Sequence, residues 1–107
     1  MVNALVLFGL PLDREAFDTY VDERHHPMLL GLPNVEEVAT HRIAGAALGE
    51  ALFHLIVDLR FSSEEAMQEG LNSEEGRAVA SDLVNFASGG VTILCSNASS
   101  NRSSETD

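Results

Sequence analysis

Several residue types are missing or scarce in this sequence, and each gap removes a class of protein. Cysteine occurs once, at Cys95, so no disulfide can form within the chain. Because Cys95 sits in an apolar, strand-like run, we expect a buried thiol that behaves as a small hydrophobe. No run approaches the roughly 20 apolar residues of a membrane-spanning helix. No basic segment precedes the first apolar run, so we expect no signal peptide and a cytoplasmic location.

Lysine is also absent, and the charge balance is strongly acidic. Six arginines stand against 17 acidic residues, which gives a formal net charge of −11 at pH 7. Such a surface repels phosphate backbones and anionic lipids, so nucleic-acid and membrane partners are not expected. The sequence has no glycine-rich phosphate loop, no G-x-S-x-G motif and no i, i+4 histidine pair. Serine hydrolysis and dinucleotide binding are therefore unlikely classes, and we predict no metal and no cofactor.

The residues that are present predict one domain with the element order βαββαβ. A chain of 107 residues that is 45% apolar supports a single core. Strands are predicted at residues 2–10, 35–43, 52–61 and 91–95 from apolar runs that end at turn residues. Asp13 is a predicted helix cap, and Ser-x-x-Glu at residues 62–65 is a capping box that opens a short helix. Gly70 is predicted to break this helix, and residues 72–75 offer a second cap for a helix that runs to about Ala87. The order predicts an α+β, ferredoxin-like fold, with a four-stranded antiparallel sheet and both helices on one face.

Two of the predicted strands are apolar on both sides, although helices can cover only one face of the sheet. We therefore expect an obligate homodimer in which the uncovered faces meet, as in a dimeric α+β barrel. His54 and Asp58 are predicted to lie on that uncovered face. The domain is predicted to span residues 1–96. Residues 97–107 are almost entirely polar and are predicted to form a disordered tail.

Three stretches of the sequence resemble the EthD family, named for a role in ethyl tert-butyl ether degradation. The first comprises residues 16–20 and 25–28, which are similar to F-x-x-Y and H-x-P-L. The second is residues 31–35, close to L-P-G-V. The third comprises residues 71–76 and 82–90, which are similar to L-x-S-P-E-G and D-x-x-N-F. Met28, Asn34 and Glu74 depart from the pattern, which often has Leu, Gly and Pro there. None of these departures removes a candidate chemical group.

The resemblance covers about residues 2–96 and implies the dimeric α+β barrel, in agreement with the element order. The superfamily that it implies includes small lactone isomerases, polyketide cyclases, cofactor-free monooxygenases and haem-degrading enzymes. A shared fold does not transfer activity, so these remain alternatives.

The first helix carries the candidate catalytic residues His25 and Tyr20. His25 shares a helical face with Phe17 and Val21, and an imidazole with a pKa near 6.5 suits proton transfer at neutral pH. The alternative is a core histidine that hydrogen-bonds a carbonyl. Tyr20 could donate a hydrogen bond to a substrate oxygen, or it could pack with its hydroxyl at the rim of the core.

Four further residues are predicted to bind a ligand: Phe17, Val21, Asp82 and Phe86. Asp82 could orient a histidine, although such a group also serves to tie a helix to a strand end. The leading hypothesis is a cofactor-free pocket for a small, apolar, oxygenated metabolite, with acid/base chemistry of the isomerase or cyclase type. One alternative is a non-catalytic accessory or metabolite-binding protein. Another is a monooxygenase, which would be either cofactor-free or haem-linked; in the haem-linked case His25 could serve as the axial ligand.

Overall fold

A computed structural model describes residues 1–97, and its elements follow the predicted βαββαβ order, with both helical regions divided into segments. The elements are β1 Val2–Gly9, α1 Arg14–Tyr20, α2 His26–Leu30, β2 Glu37–Arg42, β3 Phe53–Phe61, α3 Glu64–Leu71, α4 Glu74–Asp82 and β4 Val91–Asn97. The last strand continues through Ser96 and Asn97, beyond the predicted end at Cys95. The rest of the predicted tail, residues 98–107, lies outside the described residues.

The four strands form one antiparallel sheet in the order β2-β3-β1-β4, which confirms the ferredoxin-like α+β prediction. Alternate residues of the two central strands point toward the helices, since successive side chains of a strand face opposite sides. These residues form the centre of the core: Val2, Ala4, Val6, Phe8, Leu55, Val57, Leu59 and Phe61. Within residues 1–97, no helix has the length and apolar character needed to cross a membrane.

Side-chain oxygens cap three helices at their N-terminal ends. The Asp13 carboxylate accepts a hydrogen bond from the amide three residues later at 3.0 Å. The Ser63 and Ser73 hydroxyls accept from the amides three residues after them at 3.1 and 3.0 Å. Each oxygen satisfies an amide that has no partner within its helix. Asp13 is thus confirmed as a cap, whereas the capping serine of α3 is Ser63 and not Ser62.

The second helical region ends earlier than predicted. Helix α4 stops at Asp82, where one turn of 3-10 helix over Leu83–Asn85 follows.

Helix α3 continues through Gly70. Gly70 is required for a close contact, because a Cβ at this position would lie 2.3 Å from the Pro33 carbonyl oxygen. The glycine therefore lets α3 approach the loop before β2, and it does not break the helix.

A π-helical turn over Val21–His25 joins α1 to α2. The His26 amide donates to the Val21 carbonyl, five residues back, where an α-helix would use four. Pro27 follows at once and has no amide to continue the α-helical pattern. In an i to i+5 turn, residues five positions apart lie on the same side of the helix, which brings the side chains of Tyr20 and His25 together.

The loop before β2 turns at Asn34, whose φ is +69°. Asparagine tolerates this left-handed conformation better than most residues, and glycine adopts it freely. This explains why asparagine can stand where the resembling family pattern has glycine. The Asn34 amide also donates to the Ala66 carbonyl at 3.0 Å and to Glu69 at 3.1 Å, which ties the loop to α3.

The face of the sheet opposite the helices, here called the open face, is partly apolar. Its apolar residues lie side by side on three strands: Leu5, Leu7, Ile56 and Leu94. Polar groups border them, and Asn3 donates to Asp58 at 2.6 Å. The Asn3 Oδ1 atom is buried and has no hydrogen-bond partner within residues 1–97. The expectation of an apolar uncovered face is met over this patch.

Two side chains lie elsewhere than predicted. His54 is on the helix side, 2.8 Å from Asp18, and not on the open face. A bulge explains this, because Phe8 pairs with Leu55 and the next residue of β1 pairs with Phe53, so His54 is skipped. Cys95 is exposed and not buried, since β4 is an edge strand and all seven of its residues are exposed in the single chain.

Candidate active site

A cavity of about 140 Å³ lies between the sheet and the helices, and His25 lines it. Its other walls are apolar and come from both layers, including Val6 and Val57 from the sheet and Leu29 and Leu83 from the helical side. Within residues 1–97, no arginine and no acidic side chain lines the cavity. A ligand inside would therefore meet a hydrocarbon surface with a single titratable group.

The Asp82 carboxylate lies behind His25 and holds three hydrogen-bonding side chains. His25 Nδ1 is 2.9 Å from Asp82 Oδ2, the Tyr20 hydroxyl donates to Oδ1 at 2.6 Å, and the Asn85 amide donates to Oδ1 at 2.9 Å. The His25 side chain is 2% exposed and that of Asp82 is 10% exposed. The carboxylate thus joins the π-helical turn to the end of α4 through one polar cluster, which is buried at His25 and exposed at Asn85.

Burial and the shared hydrogen bonds shift the pKa values of His25, Asp82 and Tyr20. Burial lowers the pKa of His25 below 6.5, although the hydrogen bond and charge of Asp82 oppose this. Burial raises the pKa of Asp82, but hydrogen bonds from Tyr20, His25 and Asn85 outweigh it and leave the pKa below 3.8. The hydrogen bond to Asp82 raises the pKa of Tyr20 above 10.0. At neutral pH, Asp82 is therefore ionised while His25 is neutral.

These charge states fix which nitrogen of His25 carries the proton. An ionised carboxylate only accepts hydrogen bonds, so Nδ1 must be the donor to Asp82. Nε2 then carries the lone pair, and within residues 1–97 it has no hydrogen-bond partner. Since Asp82 does not line the cavity, Nε2 is the ring nitrogen available to a molecule inside it.

Phe86 holds the imidazole from the other side. Its ring centroid lies 4.6 Å from that of His25, and its ring stacks on Tyr20 at 5.1 Å with an interplanar angle of 20°. Phe8 and Phe17 each lie 5.4 Å from the same ring. Because four rings surround it, Phe86 fixes the positions of both candidate catalytic side chains.

The structure brings the predicted site residues into one region, but only His25 lines the cavity. Tyr20 and Asp82 meet at hydrogen-bond distance although they are 62 positions apart in the chain. The Tyr20 hydroxyl is engaged by Asp82, and its ring borders a surface groove together with Phe86 and Phe17. Val21 is buried in the core and does not line the cavity.

Sequence reasoning did not include Asn85 among the site residues. Its amide donates to Asp82, three positions earlier, so the D-x-x-N spacing was the signal that could have revealed it. The apolar cavity walls were also missed. They come from inward positions of the sheet and of the helical layer, and no local pattern separates a cavity wall from closely packed core.

A second polar cluster lies away from the cavity. Arg42 donates to Asp18 at 2.6 Å and to Asp22 at 2.8 Å, and Asp18 also contacts His54. Arg42 pairs with both carboxylates, so it ties α1 and the π-helical turn to the sheet. Throughout the described part of the chain, no three His, Cys, Asp or Glu side chains converge as a metal site would require.

The lowered pKa of His25 predicts a loss of stability in mild acid. Below pH 6.5, His25 becomes protonated in the unfolded chain but stays neutral in the folded protein, because burial lowers its pKa there. The free energy of unfolding should therefore fall as the pH drops from 6.5 toward the folded-state pKa. Urea unfolding between pH 5 and 8 measures this slope. His25→Gln should remove that part of the slope, whereas His26→Gln, the neighbouring histidine, should retain it. Equal slopes in both variants would contradict the assignment.

Comparisons with known proteins agree with the fold and with the sequence resemblance. A family model described as the EthD domain matches residues 10–90. A Rhodococcus erythropolis protein named "uncharacterized 11.0 kDa protein in thcB-thcC intergenic region" is 30% identical over 88% of this chain and 91% of its own length. The crystal structure of an EthD family protein from Bacillus halodurans superposes with a TM-score of 0.87 at 27% identity, covering 92% of this chain and 99% of that one. A dimeric ferredoxin-like protein from Jannaschia sp. has a TM-score of 0.69 at 16% identity, with 91% and 98% coverage.

Proposed function

This chain belongs to the EthD family, and we propose that it is a cytoplasmic protein that binds a small, apolar, oxygenated metabolite and transfers a proton on it through His25. The reaction would be an isomerisation or cyclisation that needs no cofactor. One observation carries the proposal: His25 is fixed at Nδ1 by Asp82, while Nε2 is available to an apolar cavity. A neutral imidazole with a free lone pair is a competent general base.

The other predicted residues have supporting roles in this proposal. Asp82 orients the imidazole and stabilises the imidazolium that forms when Nε2 takes a proton, and Tyr20 positions Asp82 through its 2.6 Å hydrogen bond. Phe86 packs on the imidazole and Phe17 packs on Phe86, while Val21 belongs to the buried core next to them in the chain. Tyr20 is thus a positioning residue, because its hydroxyl is bound to Asp82 and does not reach the cavity.

Deuterium exchange on a small lactone tests the proton transfer. α-Angelica lactone has a size that suits the cavity and an acidic C–H next to its carbonyl. In D₂O, His25 Nε2 would remove that proton to give an enolate and an imidazolium. The new N–H exchanges its proton for deuterium from the solvent, and the imidazolium then delivers deuterium to carbon. We expect His25→Gln to slow the exchange by about 10²–10⁴-fold, the usual contribution of a general base. NMR follows the loss of the C–H signal, and His26→Gln is the control; an unchanged rate in His25→Gln would refute the role.

A non-catalytic metabolite-binding protein is the second candidate. The observation that favours it is that, among the residues that the structure describes, His25 is the single titratable side chain lining the cavity. The same assay separates the two functions, because a binding protein would hold the lactone without raising its exchange rate above that of buffer. Haem does not fit: the cavity is comparable to the roughly 150 Å³ that accommodates benzene, and a porphyrin is several times larger.

We also propose that the protein is a homodimer whose open faces meet. Leu5, Leu7, Ile56 and Leu94 form a contiguous apolar patch there, and the similar Jannaschia protein is described as dimeric. A charge at the centre of this patch should prevent association, because it would be buried without a partner.

Leu7→Glu is therefore expected to be a monomer at micromolar concentration in sedimentation velocity, whereas the unmodified chain sediments as a dimer. Leu12→Glu is the matched control, because Leu12 is 92% exposed and lies outside the sheet. A Leu7→Glu dimer, or a wild-type monomer at that concentration, would overturn the open-face interface.

A further inference from the structure

His25 supplies the polar side chain among the lining residues of the cavity, and its free ring nitrogen selects among ligands by hydrogen-bond type. Nε2 of neutral His25 has a lone pair and no proton, so it accepts a hydrogen bond and cannot donate one. A ligand with only acceptor oxygens, such as an ether, a ketone or the lactone probe, can make no O–H hydrogen bond to this atom and can present only a C–H to it. A ligand with an O–H group can donate to it. The buried imidazole therefore favours hydroxyl compounds.

The cavity walls also define the charge and size of the ligand. None of the arginines in the described part of the chain lines the cavity, so a carboxylate or phosphate group would lose its hydration without gaining a partner there. Asp82 does not line it either, so a cation would find no counter-charge there. An apolar volume of about 140 Å³ suits a ring of about the size of benzene.

We propose that the cavity binds an uncharged ring alcohol of the phenol or enol class, whose hydroxyl donates to His25 Nε2. This inference rests on the proposed function and names the substrate class of the same site. Proton transfer to Nε2 would convert the bound hydroxyl to a phenolate or enolate and His25 to an imidazolium paired with Asp82. No further reactant is needed for this step.

Phenol and fluorobenzene are suitable probes, because they have the same number of heavy atoms and differ in the O–H donor. Their dissociation constants are measured by calorimetric or NMR titration on the full chain and on His25→Phe, which keeps a ring at this position. We expect the affinity ratio of phenol to fluorobenzene to fall by about tenfold in His25→Phe, the effect of losing one hydrogen bond. An equal ratio in the two proteins would overturn the inference.

A second measurement on the unmodified chain keeps the proposal testable if His25→Phe does not fold. The ¹⁵N shift of His25 Nε2 should move when phenol is added and stay in place with fluorobenzene; identical responses to both probes would count against it. The two proposals fail separately. If the protein catalyses lactone exchange but does not prefer phenol to fluorobenzene, the proposed substrate class is wrong and the role of His25 as a base stands. If it prefers phenol but does not catalyse exchange, the binding site stands and the catalytic role is wrong.

Discussion

Asp82→Asn should lower the rate of lactone deuterium exchange by about 10²–10⁴-fold, in the range of general acid–base catalysis. The substitution preserves the shape of the side chain and removes its charge. Asp82 raises the pKa of His25 through its hydrogen bond and its charge, so its removal should lower that pKa further. The imidazolium formed during proton transfer would also lose its counter-charge in a buried site. NMR exchange rates, together with a pH titration of the His25 ring signals, measure both effects.

Asp18→Asn is the matched control for this variant. Asp18 also contacts a histidine, His54, at 2.8 Å, but neither residue lines the cavity. Its substitution should leave the exchange rate and the pKa of His25 unchanged. If lactone exchange is as fast with Asp82→Asn as with the unmodified chain, Asp82 is a structural link between α4 and the π-helical turn and has no part in the chemistry.

Phe86→Ala should lower the free energy of unfolding by about 3–5 kcal/mol, which is usual for truncating a buried phenylalanine. Phe86 is 8% exposed, and its ring contacts the rings of Phe8, Phe17, Tyr20 and His25. The truncation would remove these contacts and leave a void behind the imidazole. Urea unfolding of the purified variant measures the loss of stability.

The control for Phe86→Ala is Val84→Ala, two positions earlier in the chain. Val84 is 90% exposed, so its truncation should change the free energy of unfolding by less than about 0.5 kcal/mol. A Phe86→Ala variant within that same range would show that the aromatic cluster does not stabilise this end of the core.

Local signals were sufficient for the element order and for most helix starts. The apolar runs at β1 and β3 predicted both central strands, because their inward positions alternate with a period of two. Asp13 was predicted as a cap, and the predicted capping segment at residues 72–75 contains Ser73, the residue that caps α4. The errors were at element ends, where tertiary contacts decide. Gly70 looked like a helix break, but the close approach of the Pro33 carbonyl explains it.

Two placements could not be predicted because they depend on pairing between distant segments. The bulge opposite Phe8 turns His54 toward α1, and a bulge is a mismatch between two strands that neither strand shows by itself. Cys95 is exposed because β4 is an edge strand, which is a property of strand order. An apolar sequence run cannot distinguish a central strand from an edge strand.

The sequence by itself determined the fold class, the family resemblance and the candidate side chains, since each of these depends on residue type and short-range spacing. Only the tertiary structure decided how the side chains are used. It joined Tyr20, His25 and Asp82 across more than fifty residues, and it left His25 Nε2 as the polar atom available to an apolar cavity. The physical reason is that a pKa, a tautomer and a cavity wall depend on neighbours in space, which the order of residues along a chain does not contain.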